Sequence, residues 1–222
     1  VSRPALVLRP APGDRATVAR LEPAGLVAIR LPLFQIVPLP WVPPVGEHDA
    51  LLLTSANAVR HAGPGLEALR GLPAIAVGKA TAEAARAAGL QVVATGQDDG
   101  LAALALAHAR GWRRVVRLAG REPTPLDGVT DLMVYASEPS HVPGGALAVA
   151  RGAVALLHSA RAAARFAALV DRDGVSRDAV RLAAISAKVV AAAGPDWGAT
   201  RVADAPCDAA LVAAAMTLAI DP

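Results

Sequence analysis

At 222 residues the chain suits one large domain or two of about a hundred residues each. Its hydrophobic content is 54%, much of it alanine, and the longest apolar run near the end, Ala209 to Met216, is far short of the roughly 20 residues of a membrane-spanning helix, which points to a soluble protein. Twenty-two basic side chains against 19 acidic ones give a net charge of only +3, and the arginines are scattered rather than gathered into the basic, aromatic-laced stripe of a nucleic-acid surface.

In chain order, Ala5-Leu6-Val7-Leu8-Arg9 reads as a buried strand that stops at Pro10, followed by a Pro/Gly turn and a helix from about Asp14 to Glu22. Val27 to Leu39 runs through Pro32 and Pro38 with mixed polarity. Proline removes a ladder hydrogen bond, so this segment is expected to be exposed and extended rather than a central strand. Short apolar strands then alternate with alanine-rich helical patterns at Leu51 to Leu53, Ala74 to Val77, Val92 to Ala94 and Val115 to Leu118. Asp131 to Pro139 is a second extended segment like the first, and the two are expected to carry the chain out to one lobe and back. The alternation resumes with strands at Val154 to Leu157, Leu182 to Ile185 and Arg201 to Ala203.

Strand-helix alternation argues for parallel sheets covered on both faces by helices. The expected fold class is therefore α/β, with two similar lobes, each a parallel sheet flanked by helices, joined by a two-stranded linker. Residues 1–34 and 138–222 form one discontinuous lobe, 39–130 the other, and 30–38 with 131–138 the linker strands.

The similarity of the lobes rests on a repeat roughly 105 residues long. Leu51-Leu52-Leu53-Thr54-Ser55-Ala56-Asn57 is echoed by Ala155-Leu156-Leu157-His158-Ser159-Ala160-Arg161, and Ala76-Val77-Gly78-Lys79-Ala80-Thr81 by Ala184-Ile185-Ser186-Ala187-Lys188-Val189. Val93-Ala94 answers Val202-Ala203, and Asp99-Gly100-Leu101 answers Asp208-Ala209-Ala210. Repeats of this length are related domains rather than solenoid units. Two lobes imply a cleft, where ligands sit at the carboxyl ends of parallel strands.

The common dinucleotide, phosphate, zinc-protease and hydrolase signatures are absent. The five histidines have no metal-ligand spacing, and the single cysteine, Cys207, excludes an internal disulfide or a multi-cysteine metal site. That usage, with an amino terminus that lacks the apolar core of a secretory signal, gives a cytoplasmic expectation. What remains is four strand-to-helix junctions. Thr54, Ser55 and Asn57, then Gly78, Lys79 and Thr81, occupy two of them; Ser159 with Arg161, and Ser186 with Lys188, occupy the others. Each junction has two readings, a helix cap contributing about 1 kcal/mol or an anion site. Four of them around one cleft favour a polyanionic ligand. Arg9, at the end of the first strand, would sit at the same rim, and Tyr135, the only tyrosine, would be a packing residue or a proton donor at the linker.

These residues, in this order, resemble the uroporphyrinogen-III synthase family. The resemblance is carried by Arg9-Pro10, Leu-Thr-Ser-Ala-Asn-Ala-Val at 53–59, Ala-Val-Gly-Lys-Ala-Thr-Ala at 76–82 leading to Gly89, and Val134-Tyr135. Leu-His-Ser at 157–159, Ala-Ile-Ser at 184–186, Trp197 and Ala-Pro-Cys-Asp-Ala-Ala-Leu at 205–211 extend it over nearly the whole chain. It implies a cytoplasmic, monomeric lyase without metal or organic cofactor, cyclising the polycarboxylate hydroxymethylbilane with inversion of the terminal pyrrole ring and loss of water. Tyr135 would donate a proton to the departing hydroxyl, and the junction residues with Arg9 would hold the substrate. No nucleic acid or membrane partner is implied, while a transient contact with the preceding or following pathway enzyme is. The alternative is a catalytically silent two-lobed binding protein, either a degenerate family member or a small-anion receptor, kept open by the first of two departures from the family pattern. Pro123 to Gly128 leaves room only for a loop where the family has more structure, and Ser186-Ala187-Lys188-Val189 replaces a hydroxyl-rich turn.

Overall fold

A computed structural model describes residues 2–96 and 99–220. The expected lobes also take in Val1, Gln97, Asp98, Asp221 and Pro222, which lie outside the described residues. The elements are β1 (Ala5–Val7), α1 (Gly13–Leu21), β2 (Ala28–Arg30), β3 (Phe34–Pro38), β4 (Ala50–Leu53), α2 (Ala56–His61), β5 (Ala74–Val77), α3 (Lys79–Ala87) and β6 (Val92–Gly96). They continue with α4 (Gly100–Ala109), β7 (Val115–Gly120), β8 (Val129–Pro139), β9 (Val154–Leu157), α5 (Ala160–Arg172), β10 (Arg181–Ala184), α6 (Ala187–Ala193), β11 (Ala199–Val202) and α7 (Asp208–Ala219). The chain divides into two compact units, residues 1–35 with 139–222, and residues 36–138.

In the first unit the sheet order is β11-β10-β9-β1-β2, with every pairing parallel. Side chains alternate across a strand, and the apolar run of β1 uses both faces. Ala5 and Val7 pack with Leu21 and Leu211 on the side of α1 and α7. Leu6 and Leu8 pack with Phe166 and Val189 on the side of α5 and α6. A strand buried on both faces reads as a continuous apolar run rather than an alternating one, which is why β1 and β9 were legible. β2 sits at the edge, the position that its flanking proline, Pro32, tolerates. It belongs to the sheet, whereas the sequence suggested only an exposed extended segment.

The second unit repeats the logic. Its sheet runs β3-β8-β7-β4-β5-β6, parallel from β8 through β6. Leu51 and Leu53 face Ala58, Val59, Ala82 and Ala85 of α2 and α3, while Leu52 faces Leu104 and Ala107 of α4. The neighbouring strands β3 and β8 carry the chain from one unit to the other. The hydrogen bonds from Leu39 N–H to the Val134 carbonyl and from Ser140 N–H to the Leu33 carbonyl run this pair antiparallel.

Strand order locates the site. In each sheet the order reverses once, between β1 and β9 in the first unit and between β4 and β7 in the second. Connections on the two sides of such a point leave to opposite faces, so a crevice opens at the carboxyl ends of the two strands.

Candidate functional site

At the reversal point of the second unit there is a cavity of about 480 Å³. Its floor is the carboxyl end of the sheet: Thr54 and Ser55 after β4, Val77 of β5, Ala119 and Gly120 of β7, and Tyr135 of β8. Asp99, Gly100 and Leu101 at the start of α4 close one side, and residues 122–126 close another.

Tyr135 reaches this cavity through an irregularity. β7 and β8 pair in register up to Ala119 and Met133, after which Gly120 pairs with Tyr135, so one extra residue is accommodated on β8. Such bulges re-aim a side chain. The tyrosine ring then lies directly over Gly120, where a Cβ would stand 3.0 Å from Cζ and 3.2 Å from the hydroxyl oxygen. Glycine is needed here for close approach. Gly120→Ala is expected to push the ring aside at about 1–3 kcal/mol of stability and to lower kcat/KM by roughly 10²-fold, the usual cost of a misplaced group. Initial rates beside a far-UV circular dichroism spectrum that matches the parent's would check it. The His61 ring lies 6.5 Å from that of Tyr135. Burial, with the Arg60 charge adding to it, lowers the His61 pKa below its ordinary value, favouring the neutral imidazole.

Arg117 is a site residue that the sequence reading missed. It is only 3% exposed, and its Nε and Nη2 donate to the two carboxylate oxygens of Asp131 at 2.5 and 2.6 Å. Its Nη1 donates to the Thr124 carbonyl at 3.0 Å. The available signal was an arginine inside the apolar run Val115 to Ala119, with an aspartate 14 residues on.

Two of the four junctions make side-chain caps and two do not, and each unit holds two of them. Ser55 Oγ accepts from Asn57 N–H and Ser159 Oγ from Ala162 N–H, both at 3.2 Å, so both serines cap their helices. Neither Gly78 nor Ser186 makes a side-chain cap bond. Gly78 has φ 76°, a left-handed conformation that favours glycine, and it leaves the first amides of α3 without a side-chain acceptor. Thr54 and Ser55 line the cavity with Tyr135. Asn57 on α2, Gly78 at the start of α3, and Lys79 and Thr81 on α3 are not part of its lining, Thr81 being buried and Lys79 exposed, 3.9 Å from Glu83. Arg9, Ser159, Arg161, Ser186 and Lys188 belong to the first unit, where the Arg161 guanidinium lies 4.6 Å over the Phe34 ring.

At the reversal point of the first unit a second polar cluster is built on Asp208, in the first turn of α7. Its Oδ1 accepts from Thr17 Oγ1 at 2.7 Å and from Arg9 Nη1 at 3.2 Å, and lies 2.7 Å from His158 Nε2. Its Oδ2 accepts from Arg20 Nη1 at 2.9 Å. Burial raises the pKa of this carboxyl, but the His158 and Thr17 hydrogen bonds and the nearby charges outweigh it and bring it down to about 2. His158 turns to Asp208, while Ser159, the next residue in the turn after β9, caps its own helix. Cys207 is exposed at the cap position of α7. Among the described residues no group of His, Cys, Asp and Glu is placed to hold a metal ion, and no helix is long and apolar enough to cross a membrane.

A family model described as uroporphyrinogen-III synthase HemD matches residues 15–213. The chain belongs to the uroporphyrinogen-III synthase family. That family is a cyclising lyase of tetrapyrrole biosynthesis. The fold agrees with that of uroporphyrinogen-III synthetase from Helicobacter pylori, with a TM-score of 0.68 at 16% identity over 98% of this chain and 100% of that one. A mutant uroporphyrinogen-III synthase from Thermus thermophilus gives 0.49 at 17% identity over 96% of each chain. No curated protein matches the chain in sequence. As expected from the sequence, residues 121–128 form an irregular loop, and residues 122–126 of it line the cavity.

Proposed function

We propose that the protein cyclises hydroxymethylbilane to uroporphyrinogen III, with the cavity of residues 36–138 receiving the reacting end of the substrate. The observation that carries this is the family match over residues 15–213. The cavity supports it with a phenol held at the carboxyl end of a parallel sheet, where ligands of such folds bind.

Tyr135 donates its proton to the departing hydroxyl, so that the C–O bond of the hydroxymethyl group breaks and water leaves. A cation delocalised over the pyrrole remains. The terminal ring attacks it through its substituted carbon, the spiro intermediate fragments, and the ring recloses inverted. The proton released as that ring regains aromaticity returns to Tyr135. The cation is intrinsically reactive, so the protein contributes chiefly by holding the chain folded, which is worth several kcal/mol.

The substrate carries eight carboxylates, more than a net charge of +3 can neutralise. Backbone amides at helix starts make up the difference. The uncapped starts of α3 at Gly78, Lys79 and Thr81, and of α6 at Ser186 and Lys188, are assigned this role, with Thr54, Ser55 and Asn57 at α2 and Ser159 and Arg161 at α5. Arg9 contributes from its pairing with Asp208, which a substrate carboxylate would share. The protein acts as a cytoplasmic monomer that meets its neighbours in the pathway transiently.

The test is incubation with freshly made hydroxymethylbilane, oxidation of the products, and chromatographic separation of isomers. Uncatalysed closure gives type I. A dominant type III peak is expected, and type I alone from folded protein would overturn the proposal.

A further inference from the structure

Among the described residues Arg117 is the only buried basic side chain. A guanidinium keeps its charge in a protein interior, and Asp131, its register partner on the neighbouring strand, supplies the counter-charge through two parallel hydrogen bonds. That pairing leaves Nη1 to reach out of the sheet to the Thr124 carbonyl. The segment it reaches is also tied toward its two ends, where Arg121 N–H donates to the Tyr135 carbonyl and Leu126 packs against the Leu52 and Leu104 cluster. Residues 121–128 form neither helix nor strand, and Pro123 and Pro125 lack the N–H groups that could pair with a neighbour. The same segment forms the outer wall of the cavity that holds Tyr135.

We propose that Arg117 is a positioning residue: locked on Asp131, it anchors the 121–128 segment through Thr124 and so sets the shape in which substrate meets Tyr135. The second half of this statement rests on the cavity being the substrate site. The first half does not. A lysine in its place would keep the charge but lose the planar fork that serves Asp131 and Thr124 together.

The test uses the full chain in a Cys207→Ser background, with Pro125→Cys carrying a nitroxide spin label. Arg117 is changed to Lys in one variant. In another, Arg117→Met is combined with Asp131→Leu, since replacing both members of a buried pair by apolar residues is commonly tolerated. In both, the label is expected to move at least threefold faster with the circular dichroism spectrum unchanged. In the unlabelled variants, kcat/KM for hydroxymethylbilane is expected to fall about tenfold, mainly through KM. Unchanged label motion in a folded variant would overturn the anchor, and faster motion with parental kcat and KM would overturn its role in substrate positioning. If the double variant fails to fold, the Lys variant carries the comparison. A parent that yields only type I product would remove the proposed function, and label motion would still decide the anchor.

Discussion

Replacing Tyr135 with phenylalanine is expected to lower the rate of type III product formation by roughly 10²- to 10⁴-fold, the range contributed by a positioned general acid. At about 1.4 kcal/mol per decade this is roughly 3–5 kcal/mol of transition-state stabilisation. The change should appear in kcat rather than KM. Phenylalanine keeps the ring that packs over Gly120 and beside His61, so the cavity retains its shape and loses only an O–H. A shape effect would instead raise KM and accompany Gly120→Ala more closely than Tyr135→Phe. Initial-rate measurements with the uncatalysed type I background subtracted separate the two. Turnover within twofold of the parent would show that the substrate's own groups protonate the hydroxyl, leaving the enzyme class intact and removing Tyr135 from the chemistry.

The fold was legible where burial is two-sided. β1, β4, β9 and β10 are short runs with almost every side chain buried, and such strands announce themselves as unbroken apolar words between helices. Strand ends were equally legible as junctions, because the hydroxyl residues Ser55 and Ser159 cap the helices that follow. The repeat even paired Asp99 with Asp208, and both stand at helix starts: Asp99 accepts from Ala102 N–H at 2.6 Å, and Asp208 opens α7. The partners of Asp208 were hidden. Arg9 and Thr17 lie 199 and 191 residues away from it in sequence, and a long-range ion cluster leaves no periodic trace. Arg117 was lost among scattered arginines that are mostly solvated, although an arginine within an apolar strand must find a counter-ion. The bulge that aims Tyr135 depends on how two strands pair, which neither strand encodes alone.

Asp208→Asn should remove about 2 kcal/mol of stability at neutral pH, because a carboxyl whose pKa falls from 3.8 to about 2 on folding contributes roughly 1.4 kcal/mol per unit. The carboxylate is only 16% exposed, so screening takes little from this figure, although its arginine partners are 32% and 48% exposed and soften the loss of charge. For a chain of this size the effect corresponds to a melting temperature lower by about 4–8 °C. The pH dependence gives the sharper check. A depressed carboxyl stabilises the fold fully above its unfolded pKa, near 3.8, and that contribution disappears as pH falls through its folded value of about 2. Urea unfolding of parent and variant should therefore differ by a constant amount from pH 7 to about pH 5 and converge between pH 4 and 2. A gap that stays the same down to pH 2 would mean that Asp208 acts through shape and hydrogen bonding, with its charge contributing nothing. Convergence would make the Asp208 cluster an electrostatic clamp holding the start of α7 to the ends of β1 and β9, the same place in its sheet that the Tyr135 cavity occupies in the other.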